Sequence, residues 1–342
     1  MDFHDIGHHL DTTLEEHGFS GVIRIRQGDE IVYERAAGFA DRANRIPNKL
    51  NTRFGTASGT KFFTALAIGR LIEAGRLSLD TRLVDVIDLG LPQVAPEITI
   101  RHLLTHTSGI PDYYDEEKVE DFDGFTVGVP WSELRGPRDY LAVFPNEPMK
   151  FAPGARFSYS NGGFIVLGIV IEEVTGLAYR DYVESEVFGP ASMVRSGYFA
   201  MNKLPEGTAL GYVEEGPEWR TNIFDLPIIG ASDGGAFTTV EDMGRLWDAF
   251  WGYRILSERT VRVLSAPYVR AGTEGGDSYY GHGIWLRKTA DGAFDPYITG
   301  CDAGVSFRSG RYRGGTLEIT VLSNTTSGAW PVLDLIDNFT VQ

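Results

Sequence analysis

Strand-like segments occur at the two ends of this sequence and not between them, and no other feature limits the possible folds as much. Val22-Ile23-Arg24-Ile25-Arg26 and Ile31-Val32-Tyr33-Glu34 flank Gln27-Gly28-Asp29-Glu30, the pattern of a hairpin. Comparable segments return only at 283–288, 304–309 and 317–323, punctuated by turns at Asp291-Gly292 and near Arg313-Gly314-Gly315. A two-stranded hairpin is barely stable alone, so both ends are expected to share one antiparallel sheet. Leu10 and Leu14, with Gly18 as a stop, predict a helix over 6–18, and a second terminal helix is expected over 330–339.

The middle of the chain has a different period. Phe62, Leu66, Gly69, Leu71 and Ile72, then Ile100, Leu103 and Leu104, then 164–174, and later Met243, Leu246, Trp247 and Phe250 follow helical spacing. The expected class is therefore α/β of the α+β kind. It comprises a discontinuous antiparallel-sheet domain at 1–55 and 232–342 and a mostly helical domain at 56–231. Residues 113–136 are acidic and aromatic, lack periodicity, and read as a lid-like loop.

With 342 residues, 42% of them hydrophobic, the chain can bury a large core. A net charge of -16 with no basic run argues against nucleic acid and against anionic membrane surfaces. The most apolar run, 164–171, is much shorter than the roughly 20 residues of a spanning helix. Cys301 is the one cysteine, which excludes an internal disulfide and fits a reducing compartment. The first residues show no basic, apolar leader, so a cytoplasmic location is expected.

Two constellations carry chemistry. In Ser58-Gly59-Thr60-Lys61 a hydroxyl and an amine three residues apart face the same way on a helix, so the amine can take the proton of the serine. Desolvation would favour the neutral amine. In Tyr159-Ser160-Asn161 a phenol could relay a proton, its anion favoured by the nearby ammonium, and the Asn161 amide could hold a substrate carbonyl; alternatively Asn161 caps the following helix. His102 and His106 have the spacing of a helical metal pair but lack a glutamate base, so no metal is expected and they read as packing or hydrogen-bonding residues. Neither a phosphate loop nor a dinucleotide fingerprint is found, and no cofactor is expected. Asp112, Asp115, Glu116 and Glu117 form either a solvated face or a preference for amine-bearing substrates.

These two constellations, together with the stretch from Ile100-Arg101-His102 to Ser108-Gly109-Ile110, Phe151-Ala152-Pro153-Gly154 and Ala231-Ser232-Asp233-Gly234-Gly235, resemble the serine beta-lactamase and penicillin-binding-protein-like family. The likeness is to its class C branch, which includes esterases and D-amino-acid peptidases. The resemblance implies a beta-lactamase/transpeptidase-like fold with a cleft between sheet and helices. It also implies Ser58 as nucleophile, Lys61 as base, Tyr159 as relay, Asn161 as a substrate-binding residue, and the backbone N–H groups of Ser58 and Cys301 as oxyanion hole.

Where that family carries Lys-Thr-Gly or His-x-Gly, this chain has Ile298-Thr299-Gly300. The usual cation or imidazole is replaced by Ile298, while Thr299 offers a hydroxyl and Gly300 a close approach for substrate. Arg308 or Arg311 could supply charge from a neighbouring position. The expected function is a serine hydrolase acting through an acyl-serine on a small ester, amide or short peptide. Esterase or D-amino-acid peptidase-like activity is favoured over strong beta-lactamase action. The alternatives are a beta-lactamase or D-alanyl-D-alanine carboxypeptidase, or a catalytically silent binding protein. Oligomeric state is not encoded legibly.

Overall fold

Both ends of the chain feed one antiparallel sheet in the computed structural model, which describes residues 6–119, 124–272 and 277–340. Its strands are β1 (Gly21–Gln27), β2 (Glu30–Ala37), β3 (Val269–Gly272), β4 (Ser278–Tyr280), β5 (Trp285–Lys288), β6 (Phe294–Asp302), β7 (Val305–Tyr312) and β8 (Leu317–Ser323). They lie in the order β2-β1-β8-β7-β6-β5-β4-β3. The chain closes on itself one strand in from an edge of the sheet, where β1 pairs with β8 from Gly21↔Ser323 to Gln27↔Leu317.

Alternation along the strands sends neighbouring residues to opposite faces. Ile23, Ile25, Ile319 and Val321 meet α1 (Ile6–Glu16) and α6 (Ala329–Thr340) in a core completed by Ile6, Leu10, Leu14, Val332, Leu333 and Ile336. These two terminal helices pack against each other, with the rings of His9 and Phe339 5.8 Å apart. Val22, Ile298, Phe307 and Leu322 turn the other way, into a larger core shared with α2 (Thr60–Glu73), α3 (Ile100–Leu104), α4 (Asn161–Thr175) and α5 (Val240–Trp251). The first eleven residues of α4 are all buried, which is why the helix is apolar on every side. Its N-cap is Ser160, whose hydroxyl accepts from Gly163 N, so Asn161 is the first helical residue and not the cap.

The observed sheet has strands that alternation does not reveal. Asp295, Pro296 and Gly300 interrupt the pattern of β6, which is nonetheless paired along both edges, with β5 and with β7. β6 ends at Asp302, and Gly304, with φ +71°, turns the chain into β7, which begins at Val305 within the segment expected at 304–309. Of the expected lid-like loop, residues 120–123 lie outside those described; the rest contains a 3₁₀ turn at Trp131–Glu133.

Candidate active site

Ser58 lies in a 3₁₀ turn, Ala57–Gly59, that runs directly into α2. Side chains three residues apart eclipse in such a turn, and Lys61 Nζ is 2.9 Å from Ser58 Oγ. The turn is held from outside. Thr56 N and Thr56 Oγ1 both donate to Ala236 O, at 2.8 and 3.0 Å, and Ala236 N donates to Thr60 Oγ1 at 3.0 Å. Ala57 takes φ +45°, a conformation residues with a β-carbon seldom adopt, and one found at sites where the surroundings dictate geometry. Behind the turn runs β6: a β-carbon on Gly300 would lie 2.3 Å from Thr56 O and 2.7 Å from Ser58 N. Only glycine there lets the strand lie against the backbone of the serine.

Lys61 is 2% exposed and has three partners. Besides Ser58, its Nζ donates to Asn161 Oδ1 and to Asp233 O, each at 2.7 Å. A neutral amine has two hydrogens, and these two acceptors can take both, leaving the lone pair directed at the Ser58 hydroxyl. Burial favours that neutral state and pulls the amine below its ordinary 10.5, although Asp233, Glu116, Asp302 and Asp112 all act against the fall. Asn161 is engaged at both ends of its amide, since Nδ2 donates to Tyr114 O at 3.0 Å and to Glu116 Oε1 at 3.1 Å.

Tyr159 lines one recess with Ser58 and Lys61, and Lys61 Nζ stands 4.9 Å from the centre of its ring. The structure thus brings Ser58, Lys61, Tyr159 and Asn161 together. The electrostatic balance differs from the expected one, in which the nearby ammonium favours the anion. Burial, reinforced by Glu116, pushes the phenol well above its usual 10, because the anion would lose its hydration beside other negative charge. Tyr159 is a neutral phenol at neutral pH.

Ile298 is 2% exposed and shares a narrow recess behind Ser58 with Phe62, Tyr159, Tyr280 and Trp285. No cation takes its place from the two arginines considered. Arg308 pairs across the ladder with Thr299, on the face covered by α6, and its guanidinium binds Asp337 at 2.8 Å. Arg311 is tied to Asp248 and Glu318. The Thr299 hydroxyl donates to Phe307 O at 2.9 Å, so it is engaged within the sheet. Cys301 is partly exposed, and its thiol contacts Thr326 O at 3.5 Å.

In front of Ser58 opens a cleft whose walls include Tyr113, Trp131, Asn161, Phe237, Asp233 and Asp302. Two of these acids were not singled out from sequence as site residues: Asp233, in the stretch that braces the turn, and Asp302, next to Cys301. Burial pushes the Asp302 carboxyl up to about 7 against the pull of Lys61. Among the loop acids, Asp115 is paired with Lys150 at 2.8 Å and Glu117 with Arg156 at 3.0 Å, which removes both as free charges. Asp112 accepts from Gly162 N and Tyr114 N, and Glu116 holds Asn161. His102 accepts from Thr99 N and caps α3, while His106 accepts from Ser160 N at 3.0 Å. The two imidazoles serve different neighbours.

Comparison with known proteins places these residues in context. The family model described as Beta-lactamase matches residues 7–334. The solved penicillin binding protein from Bacillus halodurans is 46% identical, with TM-score 0.90, covering 97% of this chain and 100% of that one. Esterase EstB of Burkholderia gladioli is 35% identical over 61% of this chain and 54% of its own length. Penicillin-binding protein 4* of Bacillus subtilis (strain 168) is 34% identical over 60% of this chain and 44% of its own length. The match thus spans about half the length of these two curated relatives.

Proposed function

The chain belongs to the Beta-lactamase family, and we propose that it is a serine hydrolase that forms an acyl-Ser58 intermediate from small esters or amides. The observation that carries the reading is the coordination of Lys61, whose two hydrogens have acceptors in Asn161 and Asp233 while Ser58 Oγ lies 2.9 Å away. Ser58 Oγ attacks the carbonyl carbon as its proton passes to Lys61. The backbone N–H groups of Ser58 and Cys301 receive the developing oxyanion, β6 being held against the serine by the absence of a side chain at Gly300. Tyr159 gives its phenolic proton to the leaving oxygen or nitrogen and regains one from the Lys61 ammonium. Water then attacks the acyl carbon with Lys61 again as base, releasing a free acid and restoring Ser58. Asn161 acts by orienting Lys61.

The same reading ranks substrates. A carboxylate beside the scissile bond would meet Asp233 and Asp302 and find the aliphatic Ile298 where a cation is usual, so cephalosporins should be poor substrates. An acyl group bearing an amine would be favoured by those acids. Rates on p-nitrophenyl butyrate, amino-acid amides with free and acetylated amines, and a chromogenic cephalosporin test the ranking. Cephalosporin turnover above every ester and amide would overturn it. A fluorophosphonate probe with peptide mass spectrometry tests the enzyme reading itself: an adduct on Ser58, absent in Ser58→Ala, is expected. Failure to label Ser58 would favour a silent binding protein.

A further inference from the structure

His106 is fully buried just beyond α3 and takes φ +56°, in the left-handed region that few residues other than glycine enter and that histidine, asparagine and aspartate tolerate best. That conformation lets one residue hold the next stretch of the site twice. Its main-chain oxygen accepts from Ser158 N at 2.9 Å, and its Nδ1 accepts from Ser160 N at 3.0 Å, so the two bonds bracket Tyr159. Its ring packs against the phenol as well, with centres 4.3 Å apart, while Tyr280 and Phe164 pack against the imidazole at 4.6 and 5.0 Å.

From this bracket we infer that His106 is a positioning residue for the Tyr159 phenol, setting its approach to Ser58 without touching substrate. Because Nδ1 accepts from an N–H it carries no proton, and the ring hydrogen sits on Nε2. Burial and the neighbouring Lys61 hold the imidazole well below its usual range, so the acceptor persists across neutral pH. Phenylalanine would keep the packing but leave Ser160 N without an acceptor. Asparagine would keep an acceptor and suits the left-handed backbone.

The inference rests on Tyr159 being the relay proposed above, and a double-mutant cycle on p-nitrophenyl butyrate separates the two. His106→Phe should lower kcat about 10²-fold with KM changed less than about twofold, the scale expected of a misplaced reacting group. His106→Asn should stay within about tenfold of wild type. In the Tyr159→Phe background His106→Phe should cost less than about twofold, since there is no phenol left to position. If His106→Phe does not fold, His106→Gly, which suits the positive φ, runs the same cycle. Equal losses in both backgrounds, or a wild-type kcat for His106→Phe, would overturn the inference and leave the relay intact. A wild-type rate for Tyr159→Phe alone would remove the relay and the inference with it.

Discussion

Ile23, Ile25, Ile319 and Val321 meet α1 and α6 with side chains that need only volume, whereas one residue along each strand Val22 and Leu322 turn toward a layer that buries Lys61, Thr56, Thr60, Asn161 and Asp233. The first face is stabilised by area removed from water and tolerates exchange of one apolar shape for another. The second holds polar groups whose partners are fixed one by one, so a change there is felt in geometry before it is felt in stability. The sheet separates a face packed on the terminal helices from the face that carries the candidate site.

That contrast can be broken by measurement. Lys61→Met should lower kcat/KM for p-nitrophenyl butyrate about 10³-fold, the scale of general-base catalysis, with circular dichroism unchanged. In the wild type, activity should rise with pH and level off below 10.5, because burial lowers the pKa of the amine that must be neutral; a limb at or above 10.5 would refute the base. Gly300→Ala should cost about 10²-fold in kcat, since its β-carbon would lie 2.7 Å from Ser58 N and must displace strand or turn. On the opposite face, Leu333→Ala should cost about 2–5 kcal/mol in urea unfolding and leave kcat of the folded protein unchanged. A change in kcat there would show that the two faces are coupled.

The smallest effect sharpens the comparison through pH. Asp302 has a folded value of about 7 against an ordinary 3.8, so the native state binds the extra proton in that interval and stability falls as pH rises through it. Asp302→Asn removes this loss. The melting temperature of the variant relative to wild type should climb between pH 4 and 7 and stay level above. A difference that does not vary with pH would mean that Asp302 is not held protonated by its surroundings.

How far the sequence could be read also divides along these faces. Terminal strands and helices were legible because alternation and 3.6-residue spacing are local, and Ser58 with Lys61 was legible for the same reason. β6 was not, since Asp295, Pro296 and Gly300 hide a strand whose pairing is set by its neighbours. Nor could residue types reveal that a main-chain oxygen, that of Asp233, takes one of the Lys61 hydrogens. That burial and not the nearby amine governs the Tyr159 phenol was hidden in the sequence, because the rings of His106 and Trp285 that pack on it are distant in the chain. The direction of Thr299 depends on which face of β6 it occupies, and it shares that face with Arg308, its partner across the ladder.

The packing of α1 beside α6, with His9 and Phe339 5.8 Å apart, has a topological consequence. A short linker could join these two helices and the backbone could be opened instead at the exposed Asp291-Gly292 turn between β5 and β6, giving a circularly permuted chain with every strand order kept. In such a permutant the hairpin that carries Gly300 would be made by chain ends rather than by a turn, and labelling of Ser58 would report how much of the cleft depends on chain continuity at that corner.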